Sequence, residues 1–311
     1  MSKKYIIADW LVHGGHQYEF FKTGHKFFCA SPDKTRPNPL SIGRPRNENV
    51  SYVDQKKIQE QMVNIIMVRA GVHQNRYKRL MEKYAMHKPA GIAVMQTTTV
   101  FNIPKWVKCV VWNSEYSMKK NYRTIPWAKH FYIPHGFDPD EFCLLGIEKN
   151  NKMLAAGSLY EQRGDLLGYS DWRWVADSLE GRCSLLGHGN SDKESIGSHP
   201  LKKLVSIYNE HSVFLNTTIH SAMPRTRGEA MMCGLPIVST SNYGINKYLK
   251  NKKNCIIANA KEDMLKGIKL ILDSPAMQED LSAASRETAL KYFHIDDYLT
   301  RWAEVFDKAV K

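Results

Sequence analysis

The stretch from Ser212 to Thr240 holds the residues best spaced for chemistry. An apolar run, Val213-Phe-Leu-Asn216, leads into Thr217-Thr-Ile-His-Ser-Ala-Met-Pro224. Arg225-Thr-Arg-Gly-Glu229-Ala-Met-Met-Cys233 follows, and Gly234-Leu-Pro236 opens a second apolar run. This order predicts a strand, a turn, a helix starting near Pro224 and another strand. Proline loses nothing in a first helical turn, where its missing N–H has no intrahelical partner. The free amides of Ala222, Met223 and Arg225 then join the positive helix end in an anion site suited to a diphosphate. Arg225 and Arg227 add charge-assisted donors. Glu229, one turn on, has two oxygens able to accept from a ribose diol, and a carboxylate there also stabilises the helix start.

The elements that must position these groups follow a βα rhythm. Strands are expected at 5–10, 26–29, 50–53, 64–68, 91–95, 107–112 and 130–133, with helices at 55–62, 74–86 and 117–122. A second series has strands at 152–156, 184–186, 213–216, 236–240 and 255–257, with helices at 166–179, 199–209, 226–233, 261–272 and 277–293. The two series meet at Pro134–Asp140. The expected fold is α/β, with two Rossmann-like doubly wound domains, 1–136 and 137–311, facing each other across a cleft. The final helix is expected to be able to cross back to the first domain. Ligands of such sheets bind beyond the carboxyl ends of the strands.

At 311 residues with 43% hydrophobic and 24% charged residues, the composition excludes a disordered chain, a collagen-like repeat and a coiled-coil rod. No apolar run is long enough to span a membrane and no signal peptide is expected, so the cytoplasm is the expected location, that of the host if the gene is phage-borne. Six dispersed cysteines without CxxC spacing read as reduced core residues. No His/Cys/Asp/Glu group has metal-ligand spacing, so neither metal nor resident cofactor is expected. Of the net +13, residues 1–136 contribute +14, with 22 Lys/Arg against 8 Asp/Glu, and residues 137–311 contribute −1. A basic first half points to a polyanionic partner.

Several segments resemble the GT4-like retaining glycosyltransferases of GT-B fold. Glu229-Ala-Met-Met-Cys-Gly-Leu-Pro-Ile-Val is similar to their E-A-M-A-C-G-x-P-V-V signature. Leu154-Ala-Ala-Gly157-Ser-Leu-Tyr-Glu-Gln-Arg163-Gly resembles V-G-R-L-x-x-x-K-G, and Gly187-His188-Gly189 resembles a G-x-G turn. Ile133-Pro-His135-Gly-Phe-Asp138 resembles the P-N-G-V-D hinge, and Gly14-Gly15 resembles the N-terminal glycine loop. The likeness spans nearly the whole chain and is most specific over 133–240.

The resemblance implies a metal-independent transferase whose second domain holds a nucleotide-diphosphate sugar. Glu229 takes the place of the second glutamate of an E-x7-E motif, on the ribose, and Arg163 that of the diphosphate-binding lysine. Gly14 and Gly15 lie in the loop over donor phosphate, and Gly157 and His188 in the donor loops. By position alone, His16 at a helix start and His73 after a strand are candidates to touch the acceptor, with capping of its helix the alternative for His16. Three positions depart from the family. Ser221 replaces the first glutamate, Ser158 replaces the arginine of G-R-L, and Gln96 stands where some relatives have a sugar-contacting histidine. Catalysis then rests on Arg163 and Arg225 against leaving-group charge, with Gln96 and His16 beside the reacting sugar.

For the basic first domain the favoured acceptor is a hydroxymethylated pyrimidine in double-stranded, phage-type DNA. Its phosphates would meet Lys34, Arg36, Arg44, Arg46, Lys105, Lys108, Lys119, Lys120 and Arg123, with Trp106, Trp112, Tyr116 and Tyr122 interleaved for base stacking. One alternative is a membrane-bound lipid or wall polymer, for which the basic 76–88 stretch speaks. Another is an inactive nucleic-acid-binding homologue.

Overall fold

Short β-branched and aromatic runs separated by turn residues form strands, and the helical segments between them force neighbouring strands to run parallel. The computed structural model describes residues 3–31, 40–84, 86–221 and 223–311. Two compact units result, one of residues 1–136 with 296–311, the other of residues 137–295.

The first unit holds a seven-stranded sheet: β1 (Ile6–Trp10), β2 (Lys26–Ala30), β3 (Val50–Tyr52), β4 (Ile65–Arg69), β5 (Ala90–Met95), β6 (Val107–Trp112) and β7 (Lys129–Tyr132). Every pairing is parallel, in the order β3-β2-β1-β4-β5-β6-β7. The order reverses beside β1, which places a switch point there. Its helices are α1 (Gly14–Phe21), α2 (Gln55–Gln59), α3 (Gln74–Lys83) and α4 (Glu115–Asn121). Ile58 of α2 and Tyr77 and Leu80 of α3 pack with Ile66, Val68, Val110 and Trp112 in one apolar cluster. The fourth expected strand sits one residue later than its apolar run suggests, because Arg69 continues the ladder against Val94.

The second unit holds a parallel six-stranded sheet: β8 (Met153–Ala156), β9 (Cys183–Leu186), β10 (Ser195–Gly197), β11 (Val213–Asn216), β12 (Ile237–Ser239) and β13 (Ile256–Ile257), in the order β10-β9-β8-β11-β12-β13. Its helices are α5 (Tyr160–Arg163), α6 (Tyr169–Asp177), α7 (Leu201–Glu210), α8 (Arg225–Met232), α9 (Lys261–Leu272) and α10 (Pro275–Phe293). The edge strand β10 is too polar and short to stand out in the sequence. The expected helix over 166–179 is broken: Gly168 takes φ +69°, and α6 starts after it. A Cβ on Gly168 would lie 2.4 Å from the Thr217 carbonyl oxygen, so this close approach requires glycine.

The last helix, α11 (Ile295–Val310), returns to the first unit from Asp296 onward, so the second unit ends at Ile295 rather than at Lys311. Tyr298, Trp302, Val305, Phe306 and Ala309 recur at helical spacing and are all buried. Trp302 packs on Phe20 with centroids 4.6 Å apart, and Phe306 meets the His25 ring at 4.6 Å. Burial, helped by the nearby Lys4 ammonium, pulls the His25 pKa down to about 4. The unfolded chain therefore binds a proton below about pH 6.5 that the folded chain refuses until about pH 4. Each pH unit lost in that window is expected to cost about 1.4 kcal/mol of stability through this residue. Urea titrations at pH 7 and pH 5 check this, and His25→Asn should flatten the difference between them.

Candidate functional site

In the second unit the carboxyl ends of β8, β9 and β11 converge. Gly157 closes β8 and donates its N–H to Leu186 at 2.9 Å. Gly187 follows β9 with φ +142°, and a Cβ there would come within 2.1 Å of the Gly157 carbonyl oxygen. Asn190 fastens the two turns: its Nδ2 donates to the carbonyls of Gly157 (2.8 Å) and Gly187 (3.3 Å), and its Oδ1 accepts from Tyr160 N–H (2.8 Å). The backbone N–H of Leu159 donates to His188 at 2.8 Å, and His188 N–H donates to Ser158 Oγ at 3.3 Å. Ser158, where the family has arginine, thus ties the turns together. Arg163 ends α5 and is exposed, as is His188.

Thr217 continues the platform. Its hydroxyl donates to the Leu167 carbonyl at 2.6 Å, so at the 2.7 Å contact with Tyr160 the phenol is the donor. Thr226 Oγ1 donates to the Ala156 carbonyl at 3.2 Å and sets the start of α8 beside the end of β8. Helix α8 has Pro224 as its N-cap, with Arg225 and Arg227 in its first turn and no acidic residue there. Ser221 is partly buried and Met223 buried. Ala222 lies outside the described residues, so its expected amide contact is not placed.

Glu229 is not the open carboxylate expected from its spacing. Arg225 Nε donates to its Oε1 at 2.9 Å and the Tyr208 hydroxyl to its Oε2 at 3.0 Å, and the residue is 3% exposed. Helical i,i+4 spacing brings Arg225 onto Glu229, and the guanidinium also lies over the Phe137 ring at 4.8 Å. Arg227 is buried as well, and its Nη1 finds no acceptor among the described residues. Burial pulls its pKa down to about 10.

In the first unit, the carboxyl ends of β1, β4 and β5 hold a second polar cluster. Asp9 and Arg69, both buried, form a two-pronged ion pair, Nε–Oδ1 at 2.5 Å and Nη2–Oδ2 at 2.7 Å. Burial opposes the Arg69 charge, but Asp9 outweighs it and holds the guanidinium pKa above its ordinary value. Gln17 on α1 donates to Asp9 Oδ2 (3.0 Å) and the Trp10 carbonyl (2.9 Å), and accepts from Val12 and His13 N–H. Gln96 follows β5, with its Nε2 buried and lacking an acceptor among the described residues.

Several expectations are corrected here. Gly14 and Gly15 open helix α1 rather than forming a loop, because His13 caps it by accepting from His16 N–H at 3.3 Å. His16 is buried, its ring 5.4 Å from that of His135 and 6.3 Å from that of Tyr298. His73 caps α3, its Nδ1 accepting from Asn75 N–H at 3.2 Å. Trp112 is fully buried and Trp106 packs against Gly91 and Tyr77, since β6 and its neighbours need large apolar side chains. Arg44 is buried too. Arg46, Lys105, Lys108, Lys119, Lys120 and Arg123 are exposed, Lys119 pairing with Glu115 at 2.9 Å. Lys34 and Arg36 lie outside the described residues.

Residues 152–304 match the family described as "Glycosyl transferase-like". An uncharacterized glycosyltransferase of Haemophilus influenzae is 24% identical over 171 residues, covering 50% of this chain and 48% of that one. The chain thus spans about half the length of this curated relative. A glycosyltransferase of Rickettsia africae superimposes with TM-score 0.74 at 16% identity, over 99% of each chain. Anabaena HepE in complex with UDP-glucose gives 0.75 at 10% identity, over 97% of this chain and 99% of that one. The chain has the glycosyltransferase GT-B fold. Sequence reasoning missed Asn190, Tyr208, Thr217, Gln17 and the Asp9–Arg69 pair. An acidic residue inside the first apolar run was the one available signal for that pair.

Removing one member of a buried pair strands the other charge. Asp9→Ala is expected to cost about 3–5 kcal/mol, and Asp9→Ala with Arg69→Met to recover much of it, read by chemical unfolding of the three variants. Asn190→Ala, which frees two carbonyls and one N–H, is expected to cost about 1–3 kcal/mol by the same measurement.

Proposed function

We propose that this GT-B chain is a metal-independent glycosyltransferase that takes its sugar from a nucleotide diphosphate at the strand ends of residues 137–295. One observation carries the reading: two buried arginines occupy the first turn of α8, where the helix dipole already favours an anion, and Glu229 neutralises only Arg225. Arg227 and the positive helix end are left for a diphosphate. The exposed Arg163 supplies a further cation at the same edge. UDP-glucose bound in HepE, a protein of the same fold, supports a uridine diphosphate sugar as the first donor to try. Glu229, with both oxygens already accepting from the protein, holds Arg225 in place, and its contact to a ribose is carried by the family resemblance alone.

In this reading the C–O bond between sugar and diphosphate breaks as the acceptor hydroxyl attacks, and the hydroxyl proton passes to the departing phosphate. The cations and α8 amides stabilise the charge that develops on the leaving group. Stereochemistry is retained, as the family resemblance implies. Gln96, whose buried Nε2 lacks an acceptor among the described residues, is the residue of the first unit offered to an acceptor hydroxyl.

The acceptor belongs with the basic unit, and hydroxymethylated pyrimidine in DNA is the one proposed. Exposed Lys105, Lys108, Lys119, Lys120 and Arg123 with exposed Tyr116 and Tyr122 support it. The test incubates the chain and EDTA with labelled nucleotide sugars and hydroxymethylated DNA, unmodified DNA or anionic lipid. Label is expected on hydroxymethylated DNA alone, with Arg163→Ala lowering kcat about 10²-fold. Label in the lipid instead moves the acceptor to a membrane. DNA binding without any transfer makes the chain a binding protein.

A further inference from the structure

The crossovers from β4 to β5 and from β6 to β7 carry helices α3 and α4, but the one from β5 to β6, residues 96–106, has none. Right-handed connections put all three on the same face of the sheet, so the missing helix leaves a gap beside α4. A cavity of about 500 Å³ lies there, within the first unit, walled by Thr98, Asn102, Lys120, Asn121, Thr124 and Trp127. Ile103 and Ile125, both buried, close its floor. Among the described residues no acidic one lines it, and exposed Lys119 and Arg123 flank its lysine in sequence. The Trp127 indole is 42% exposed although the chain buries Trp10, Trp112, Trp172 and Trp302 completely.

These side chains combine three kinds of recognition. A flat exposed indole offers a stacking face to any base. A lysine ammonium offers a point charge to a phosphate. The Asn102 amide, exposed at the rim, both donates and accepts, which matches the polar edge of a base. Asn121 has its Nδ2 committed to the Ser117 carbonyl at 2.8 Å, which leaves its Oδ1 as an acceptor. Thr98 stands two residues beyond Gln96 at the end of β5.

We propose that this groove holds one unstacked nucleotide of the acceptor strand, away from the nucleotide that is modified, with its base on Trp127 and its phosphate at Lys120. The proposal rests on the nucleic-acid reading of the acceptor and adds a context-reading subsite to it. It replaces partly buried Trp106 and buried Trp112 with Trp127 as the stacking group.

The test measures anisotropy of a labelled single-stranded oligothymidylate against the full chain, across a salt series. Trp127→Ala is expected to weaken binding at least about 5-fold and Trp127→Phe to retain most of it. Lys120→Ala is expected to flatten the slope of log K against log salt by about 0.7. Thermal unfolding checks that each variant is folded, as an exposed site allows. Unchanged affinity in Trp127→Ala overturns the proposal. So does an anionic oligosaccharide that binds in a Trp127-dependent way while the oligonucleotide does not. Trp127-dependent oligonucleotide binding without sugar transfer to DNA leaves the groove standing and removes the acceptor reading. Transfer to hydroxymethylated DNA with KM unchanged in Trp127→Ala removes the groove alone.

Discussion

Arginine cannot shed its charge, so every guanidinium buried at a strand end forces the chain around it to supply anions, carbonyls or aromatic faces. Arg69 receives both oxygens of Asp9 and the face of Phe20 at 5.3 Å. Arg225 receives Glu229 and the face of Phe137. Arg227 receives no anion among the described residues. Two of the three are solved by the protein itself, and the third sits in a helix turn whose dipole already calls for an anion.

The same constraint explains the rigidity of the surrounding turns. Turns at strand ends keep their shape only if their remaining backbone groups find partners. Asn190, Ser158 and Thr217 do this with short side chains that satisfy backbone groups which strand ends leave open. Gly157, Gly168 and Gly187 let these turns approach to distances that any side chain would block. In the first unit Gln17 plays the corresponding part, holding the start of α1 against β1 through four hydrogen bonds.

The charge of the chain differs between its two halves. Residues 137–295, which carry α8, hold 19 Lys/Arg against 19 Asp/Glu and are neutral overall, whereas residues 1–136 hold 22 Lys/Arg, four of them on α3 and two on α4. Spread basic charge acts over a long range, whereas the buried arginines of the second unit act at contact distance. Local concentration of cations at the strand ends of 137–295 needs no high net charge, since low exposure strengthens each contact.

The alternation of apolar runs, the parallel order it forces, the break near Pro134–Asp140 and the helix after Pro224 were all legible in the sequence, because backbone periodicity and proline geometry are local. The grouping of Gly157, Gly187 and α8 was legible only through the family resemblance, because the strand order that brings them together is not local. Tertiary structure alone decided which charged and aromatic side chains face inward. Glu229 and Arg225 share a helix face that packs beneath Tyr208 and Phe137, His16 turns into the interior, and Trp106 and Trp112 fill the sheet while Trp127 stays outside. A sequence lists which groups are available. Burial sets their partners, because desolvation makes a charge or an indole N–H seek whatever the fold brings within reach, at any distance along the chain.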